Sequence, residues 1–138
     1  MTPRRTRLSR GAALTEVLAA AAIVAMIGTL ILVATGPGDR TRLDREVAAI
    51  SVLLAQARLM AAETGRPVEL VWTPDDRQLA AGPLTHRLSR NVDGPDATQR
   101  TILQPNGESD GLELTLVAGP HRRTVILNWL TGRSEVAG

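Results

Sequence analysis

The chain has 138 residues, which leaves room for one membrane segment and one small soluble domain. It contains no cysteine and no lysine, which excludes disulfides, thiolate metal sites, Schiff-base chemistry and a phosphate-binding lysine loop. The formal charge is +2 and all 16 basic residues are arginines, so only their distribution can say whether the chain binds an acidic partner.

Residues 1–11 are polar and basic, and they hold four of the arginines. Without them, 12 arginines face 14 acidic residues, so the basic balance belongs largely to this segment rather than to a nucleic-acid surface. A basic segment that ends at Gly11, directly before an apolar stretch, is typical of a targeting sequence. We assign residues 1–11 to a leader peptide.

An apolar stretch follows at residues 12–34, and Glu16 is its one charged side chain. As a helix these residues would rise roughly 34 Å, enough to cross the hydrocarbon core of a bilayer. We therefore assign 12–35 to a transmembrane and assembly helix. Four arginines precede the helix and three follow it closely, which favours a cytoplasmic N-terminus.

Glu16 is the main candidate for a functional side chain. A lone carboxylate in a membrane helix costs about 3 kcal/mol on insertion scales. Removal of the leader after Gly11 would give Ala12 a free α-amine, with Glu16 about one helical turn deeper. Pairing that amine with the carboxylate of a neighbouring subunit would offset both costs and set the axial stagger of a filament. A plain signal anchor, in which Glu16 favours the positive end of its own helix dipole, is the alternative.

A second, amphipathic helix is predicted over 39–65. Gly36-Pro37-Gly38 should kink or break the chain before it, because proline removes an amide donor. Asp39 is the predicted N-cap and Gly65 the predicted C-cap. Apolar residues recur in steps of four and three, which forms one stripe for packing on a sheet. The stripe consists of Leu43, Val47, Ile50, Leu54, Ala57 and Ala61.

Residues 66–138 are predicted to form an antiparallel β domain, because their apolar periodicity falls towards two. The predicted strands are 68–72, 84–88, 101–103, 112–116 and 124–129, with a last short strand after a turn at 130–132. Trp72 and Trp129 are predicted to be core or strand-pairing residues. The fold class is therefore α+β, a long N-terminal helix packed on an antiparallel sheet.

The polar residues of this region predict no catalytic, cofactor or metal site, and an enzyme is not expected. His86 and His121 are expected to be solvated. Asp75-Asp76 and the pair Asp93 and Asp96 lack the ligand spacing of a calcium loop and are interpreted as turn residues.

The junction at residues 10–18 resembles the class III signal of type IV pilins and pseudopilins. Gly11, Leu14 and Glu16 are identical to the family pattern. Three neighbouring positions depart from it, among them Ala12, where the family usually has Phe.

Further segments resemble the minor pseudopilin H family of the type II secretion system. Residues 55–72 contain an Ala-Arg-x-x-Ala helix that ends in Gly-x-Pro-Val before a strand, as in that family. Residues 105–107 are similar to its Pro-Asp-Gly turn, and residues 124–133 to its closing hairpin. The resemblance implies a type IV pilin-like fold, in which the long helix carries the subunit into a filament.

The resemblance also implies a function: a minor pseudopilin, a structural subunit of the tip or initiation complex of a periplasmic pseudopilus. Prepilin peptidase would cut between Gly11 and Ala12, Ala12 would be N-methylated, and Glu16 would direct docking. The expected partners are other pseudopilins, the peptidase and the inner-membrane assembly platform. The expected location is the bacterial inner membrane, single-pass, with a cytoplasmic N-terminus and a periplasmic C-terminal domain.

Two alternatives remain open. The first is a type IV pilus minor pilin that acts in pilus assembly or DNA uptake, and the second is a plain membrane-anchored periplasmic binding domain. Arg122, Arg123 and Arg133 could contact phosphates. Because Glu135 follows and lysine is absent, a solvated hairpin is the favoured interpretation and nucleic acid is not an expected partner.

Overall fold

The computed structural model describes residues 14–24 and 38–138. The chain divides into two units between Pro37 and Gly38. In the first unit, helix α1 spans Leu14–Val24, and all its side chains are exposed. The rest of the predicted membrane helix and the predicted break at Gly36-Pro37 lie outside the described residues.

The second unit consists of helix α2 and seven strands in two antiparallel sheets. Helix α2 spans Asp39–Thr64, and the strands are β1 Val68–Thr73, β2 Gln78–Ala81, β3 Leu84–Arg87, β4 Gln99–Leu103, β5 Leu112–Ala118, β6 His121–Leu127 and β7 Ser134–Ala137. The four-stranded sheet has the order β3-β2-β1-β4, and the three-stranded sheet has the order β5-β6-β7.

Helix α2 packs on both sheets through the predicted stripe. All six stripe residues are buried, and Leu53 joins them. The helix ends where Gly65 adopts the left-handed conformation at φ 63°, which confirms the predicted C-cap. The predicted N-cap is wrong by one residue: Gly38 occupies that position in an extended conformation, and Asp39 is the first helical residue.

Among the described residues, α2 is the one helix long and apolar enough to cross a bilayer by length and composition. Seven of its apolar side chains are buried in the domain core, however, and Arg40, Asp44 and Arg45 lie near the start of the same helix. We therefore assign α2 to the core of the globular unit. The exposed apolar helix α1 is the described part of the stretch predicted to enter the membrane.

The core is aliphatic apart from one aromatic ring. Alternate residues of β1 and β5 face inward, as their burial patterns show. Trp72 at the end of β1 is 1% exposed and is the largest fully buried side chain. Burial of each large aliphatic side chain contributes about 1.5–3 kcal/mol. The other large fully buried side chains are Leu43, Ile50, Leu54, Leu70, Leu79, Leu103, Leu114, Leu116, Leu127, Val92 and Val125.

The long connection between β3 and β4 is held onto the core by two side chains. Trp72 donates its indole Nε1–H to the carbonyl of Pro95 at 2.9 Å. Arg77 donates from its guanidinium to the carbonyls of Ser89, Arg90 and Val92. The connection from β3 to the start of β4 at Gln99 is therefore a fixed part of the domain.

Three β-domain predictions are corrected. A single sheet was expected, and the described residues form two, because the segment after β4 turns away at residues 105–107 and β5 starts a separate ladder. Strand β2 was not predicted; its sequence, Gln-Leu-Ala-Ala, has low strand propensity and is held by pairing with β1 and β3. Strand β6 begins at His121 and ends at Leu127, which leaves Trp129 outside it.

Candidate functional site

Glu16 lies in the first turn of α1 as described, and its side chain is exposed. The residues that follow it, Val17 and Leu18, are exposed as well, so the carboxylate is set in an apolar helical surface. Within the described residues Glu16 has no ion-pair partner. Gly11 and Ala12, the predicted processing residues, lie outside the described part of the chain.

An exposed carboxylate on an apolar helix is suited to pairing with a cation. In water the helix would expose several large apolar side chains, and in a bilayer the carboxylate would require a cation. Both requirements are met if the helix packs beside other apolar helices and the carboxylate pairs with a cation from another chain. The described part of α1 thus presents one carboxylate among exposed apolar side chains.

A second exposed feature lies at the β6–β7 turn, where sequence reasoning expected a strand. Trp129 is 62% exposed and the adjacent Leu130 is 52% exposed. The Oδ1 atom of Asn128 accepts hydrogen bonds from the backbone N–H of Leu130 at 2.9 Å and of Thr131 at 3.1 Å. Asparagine before such a turn is a recognisable signal, and it could have moved Trp129 from a strand to a turn.

The segment that follows β4 braces this turn. The N–H of Ser109 donates to the carbonyl of Trp129 at 2.8 Å. Gly107 and Gly132 lie so close together that a Cβ on Gly107 would be 2.6 Å from the carbonyl oxygen of Thr131. The backbone of the turn is therefore fixed, while the side chains of Trp129 and Leu130 point away from the core.

A shallow groove of about 320 Å³ lies between the exposed side of α2 and the turn that contains Gly107. Its helical wall includes Arg58 and Leu59, and Leu59 is 58% exposed. The opposite wall is the turn at residues 105–107. Arg58 is half-buried and makes no hydrogen bond or ion pair with another described residue.

Two of the remaining candidate side chains, His86 and Asp93, are held in structural contacts. His86, predicted to be solvated, instead has its Nε2 atom 2.5 Å from Oε2 of Glu46, and this pair joins β3 to α2. Asp93 pairs with Arg77 at 3.5 Å, which accounts for one of the predicted turn acids. His121 is exposed, as predicted.

The C-terminal arginines do not form one cluster. Arg123 lies 3.6 Å from Asp44 of α2 and also donates to the carbonyl of Gly138. Arg122 and Arg133 are exposed on different elements, the first on β6 and the second in the connection to β7. One of the three arginines is thus engaged within the domain, and the other two stay available to solvent.

The fold defines a class: an α+β domain in which one long helix packs on antiparallel sheets, preceded by an apolar N-terminal helix. Two solved structures are similar to the chain, both crystal forms of the type IV minor pilin FimU from Pseudomonas aeruginosa. The first has a TM-score of 0.59 at 16% identity, covering 72% of this chain and 90% of the pilin. The second has a TM-score of 0.54 at 14% identity, covering 69% and 92%.

The chain therefore has a type IV pilin-like fold, as its sequence predicted. No protein-family model matches the chain, and no curated protein matches it either. At this level of identity the likeness establishes the fold, and function must be argued from the residues.

Proposed function

We propose that this protein is a minor pilin-like subunit of a membrane-anchored filament, with a structural rather than catalytic role. The observation that carries the proposal is the combination of a pilin-like fold with an exposed carboxylate, Glu16, at the start of an apolar helix. The leader at 1–11 would be removed between Gly11 and Ala12 by prepilin peptidase, and Ala12 would be N-methylated. Glu16 would then pair with the α-amine of a neighbouring subunit in the inner membrane.

Within this class, the first candidate is a minor pseudopilin of the type II secretion system, at the tip or initiation complex of a periplasmic pseudopilus. The sequence resemblance at residues 55–72 and 124–133 supports it. The second candidate is a minor pilin of a type IV pilus, and the names of both structural neighbours favour it. Deletion of the gene distinguishes the two: loss of protein export with intact pili supports the first, and loss of surface pili supports the second.

Processing gives the first test. The intact mass of the protein isolated from membranes should correspond to a chain that begins at Ala12 and carries one added methyl group. The expectation follows from the basic leader that abuts Gly11 and the apolar helix. A mature protein that keeps residues 1–11, in a cell with active prepilin peptidase, would reject the proposal and favour a plain anchored domain.

Glu16 gives the second test. Glu16→Gln keeps the size of the side chain but removes its charge, so it should reduce co-purification with partner subunits by about tenfold, as loss of a desolvated ion pair predicts. Cleavage after Gly11 and the thermal stability of the globular unit should not change. Glu63→Gln, at an exposed position of α2, is the charge-matched control. Wild-type co-assembly of the Glu16→Gln protein would contradict the pairing.

DNA uptake is one role of the type IV pilus alternative. Nucleic acid is nevertheless not an expected partner of this chain. If DNA did bind, affinity would fall steeply with salt, and joint replacement of Arg122 and Arg133 by Ala would weaken it. Both are exposed on the domain surface, so their replacement should leave the fold intact.

A further inference from the structure

We infer that the globular unit carries a second assembly surface, formed by Trp129 and Leu130 together with the groove beside Arg58, and that it binds the globular domain of another pilin-like subunit. The segment bound would place a carboxylate beside an apolar side chain. This inference rests on the proposed function for its choice of partner. It concerns a part of the chain separate from Glu16 and α1, and it can therefore fail independently.

The first argument is the cost of the exposed side chains. Tryptophan is the side chain that contributes most often to the centres of protein interfaces, and here it stands in solvent next to an exposed leucine. The hydrogen bonds of Asn128 and Ser109 hold the turn in place although Trp129 is not part of the buried core. A turn whose backbone is already fixed loses little backbone conformational entropy on binding, so this geometry favours association.

The second argument is continuity with the groove. Gly107 lies between the two features: a Cβ placed on it would be 2.6 Å from the carbonyl oxygen of Thr131 and 3.7 Å from Nε of Arg58. The 105–107 turn therefore contacts the exposed turn on one side and forms a wall of the Arg58 groove on the other. The two features are thus neighbours through one turn, which makes a single partner for both the simplest arrangement.

The third argument is charge, and it selects the occupant. Arg58 is half-buried yet has no acidic partner among the described residues. A carboxylate from a bound segment would form an ion pair with its guanidinium. A membrane surface fits less well, because Glu108 and Asp110 are exposed on either side of Ser109, which bonds to Trp129. Those carboxylates would be repelled by anionic lipid headgroups.

Site-specific photo-cross-linking in native membranes tests the inference with the full-length chain. A photoreactive amino acid in place of Trp129, or in place of Leu59, should give an adduct with another pilin-like subunit, and the cross-linked peptide should contain Asp or Glu. Val52 is the control position, since it is 56% exposed on the same helix but lines a different groove with Thr85 and His86. Equal adducts from position 52, adducts with lipid, or no adduct at all would overturn the inference.

A charge reversal tests the role of Arg58. Arg58→Glu should lower the adduct yield from position 129 by about tenfold, because like charges would meet in the groove. Replacing the partner's cross-linked acid by Arg should restore the yield. Arg90→Glu is the matched control, since Arg90 has an exposed side chain in the β3–β4 connection. An Arg58→Glu protein with a wild-type yield would overturn the inference.

The two proposals give different patterns of failure. If Glu16→Gln disrupts co-assembly while variants at Trp129 and Arg58 leave adducts and co-assembly unchanged, only the second surface is wrong. If the leader stays attached and no pilin-like subunit is captured at any position, the proposed function fails and takes this inference with it.

Discussion

The two tryptophans lie in the same domain but at opposite extremes of solvent exposure, although a short apolar run precedes each of them. Trp72 lies near the end of β1 and is 1% exposed, and its indole N–H donates to the carbonyl of Pro95. Trp129 follows β6, lies in a turn and is 62% exposed. The residues around Trp72 pack against its ring, whereas the residues around Trp129 hold only the backbone of its turn.

Because of this difference, Trp72 contributes to the stability of the domain, whereas Trp129 is available to bind a partner. Gly94 shows how closely the surroundings fit Trp72, since a Cβ on Gly94 would lie 2.3 Å from Cζ2 of the indole. At Trp129 the structural work is done by Asn128 and Ser109, through bonds to the backbone. The ring of Trp72 should therefore control folding, and the ring of Trp129 should control only what the surface can bind.

The largest expected effect is the contrast between Trp72→Ala and Trp129→Ala. Trp72→Ala should lower the free energy of unfolding by about 3–5 kcal/mol, because it leaves a cavity and an unpaired carbonyl at Pro95. Trp129→Ala should change it by about 0.5 kcal/mol or less. Denaturant titration of the purified full-length protein, followed by near-UV circular dichroism or by amide exchange, measures both.

Fluorescence provides the control for that contrast, because the chain has no other tryptophan and no tyrosine. In the Trp129→Ala protein, emission from Trp72 should be blue-shifted and poorly quenched by acrylamide. In a Trp72→Phe protein, Trp129 should emit at long wavelength and be strongly quenched. Similar quenching of the two would contradict the assigned environments.

A smaller effect is expected at Gly94. Gly94→Ala should destabilise the domain by about 1–3 kcal/mol, since the new methyl group would overlap the indole of Trp72. The same substitution in a Trp72→Phe background should cost less, because the overlapping outer atoms of the indole are gone. A double-mutant cycle measures this coupling, and additive effects would show that the packing is not responsible.

A smaller loss of stability than at Gly94 is expected at Asn128. Asn128→Ala removes the acceptor for two backbone N–H groups, so it should cost about 1 kcal/mol of stability. Its main consequence should be greater mobility of Trp129, read as lower fluorescence anisotropy in the Trp72→Phe background. Asn106→Ala is the control: its side chain also accepts a backbone N–H, from Glu108, in a neighbouring turn. Unchanged anisotropy would show that Asn128 does not hold the turn.

Much of this fold could be predicted from the sequence, because its signals are local. The stripe from Leu43 to Ala61 follows from helical periodicity, and the end of α2 follows from Gly65, which can adopt positive φ. The alternation at residues 112–116 predicted the first five residues of β5. The role of Glu16 came from its charge in an apolar stretch and remains a prediction.

Only the tertiary structure decided the rest, because it depends on contacts between residues far apart in the chain. Strand β2 exists through pairing with β1 and β3, and the division into two sheets follows from which strands meet. The opposite burial of Trp72 and Trp129 has the same origin. One ring is covered by a loop that arrives some twenty residues later, whereas no described segment returns to cover the other. Local sequence sets helix periodicity and turn chemistry, but burial is set by the segments that come back to pack.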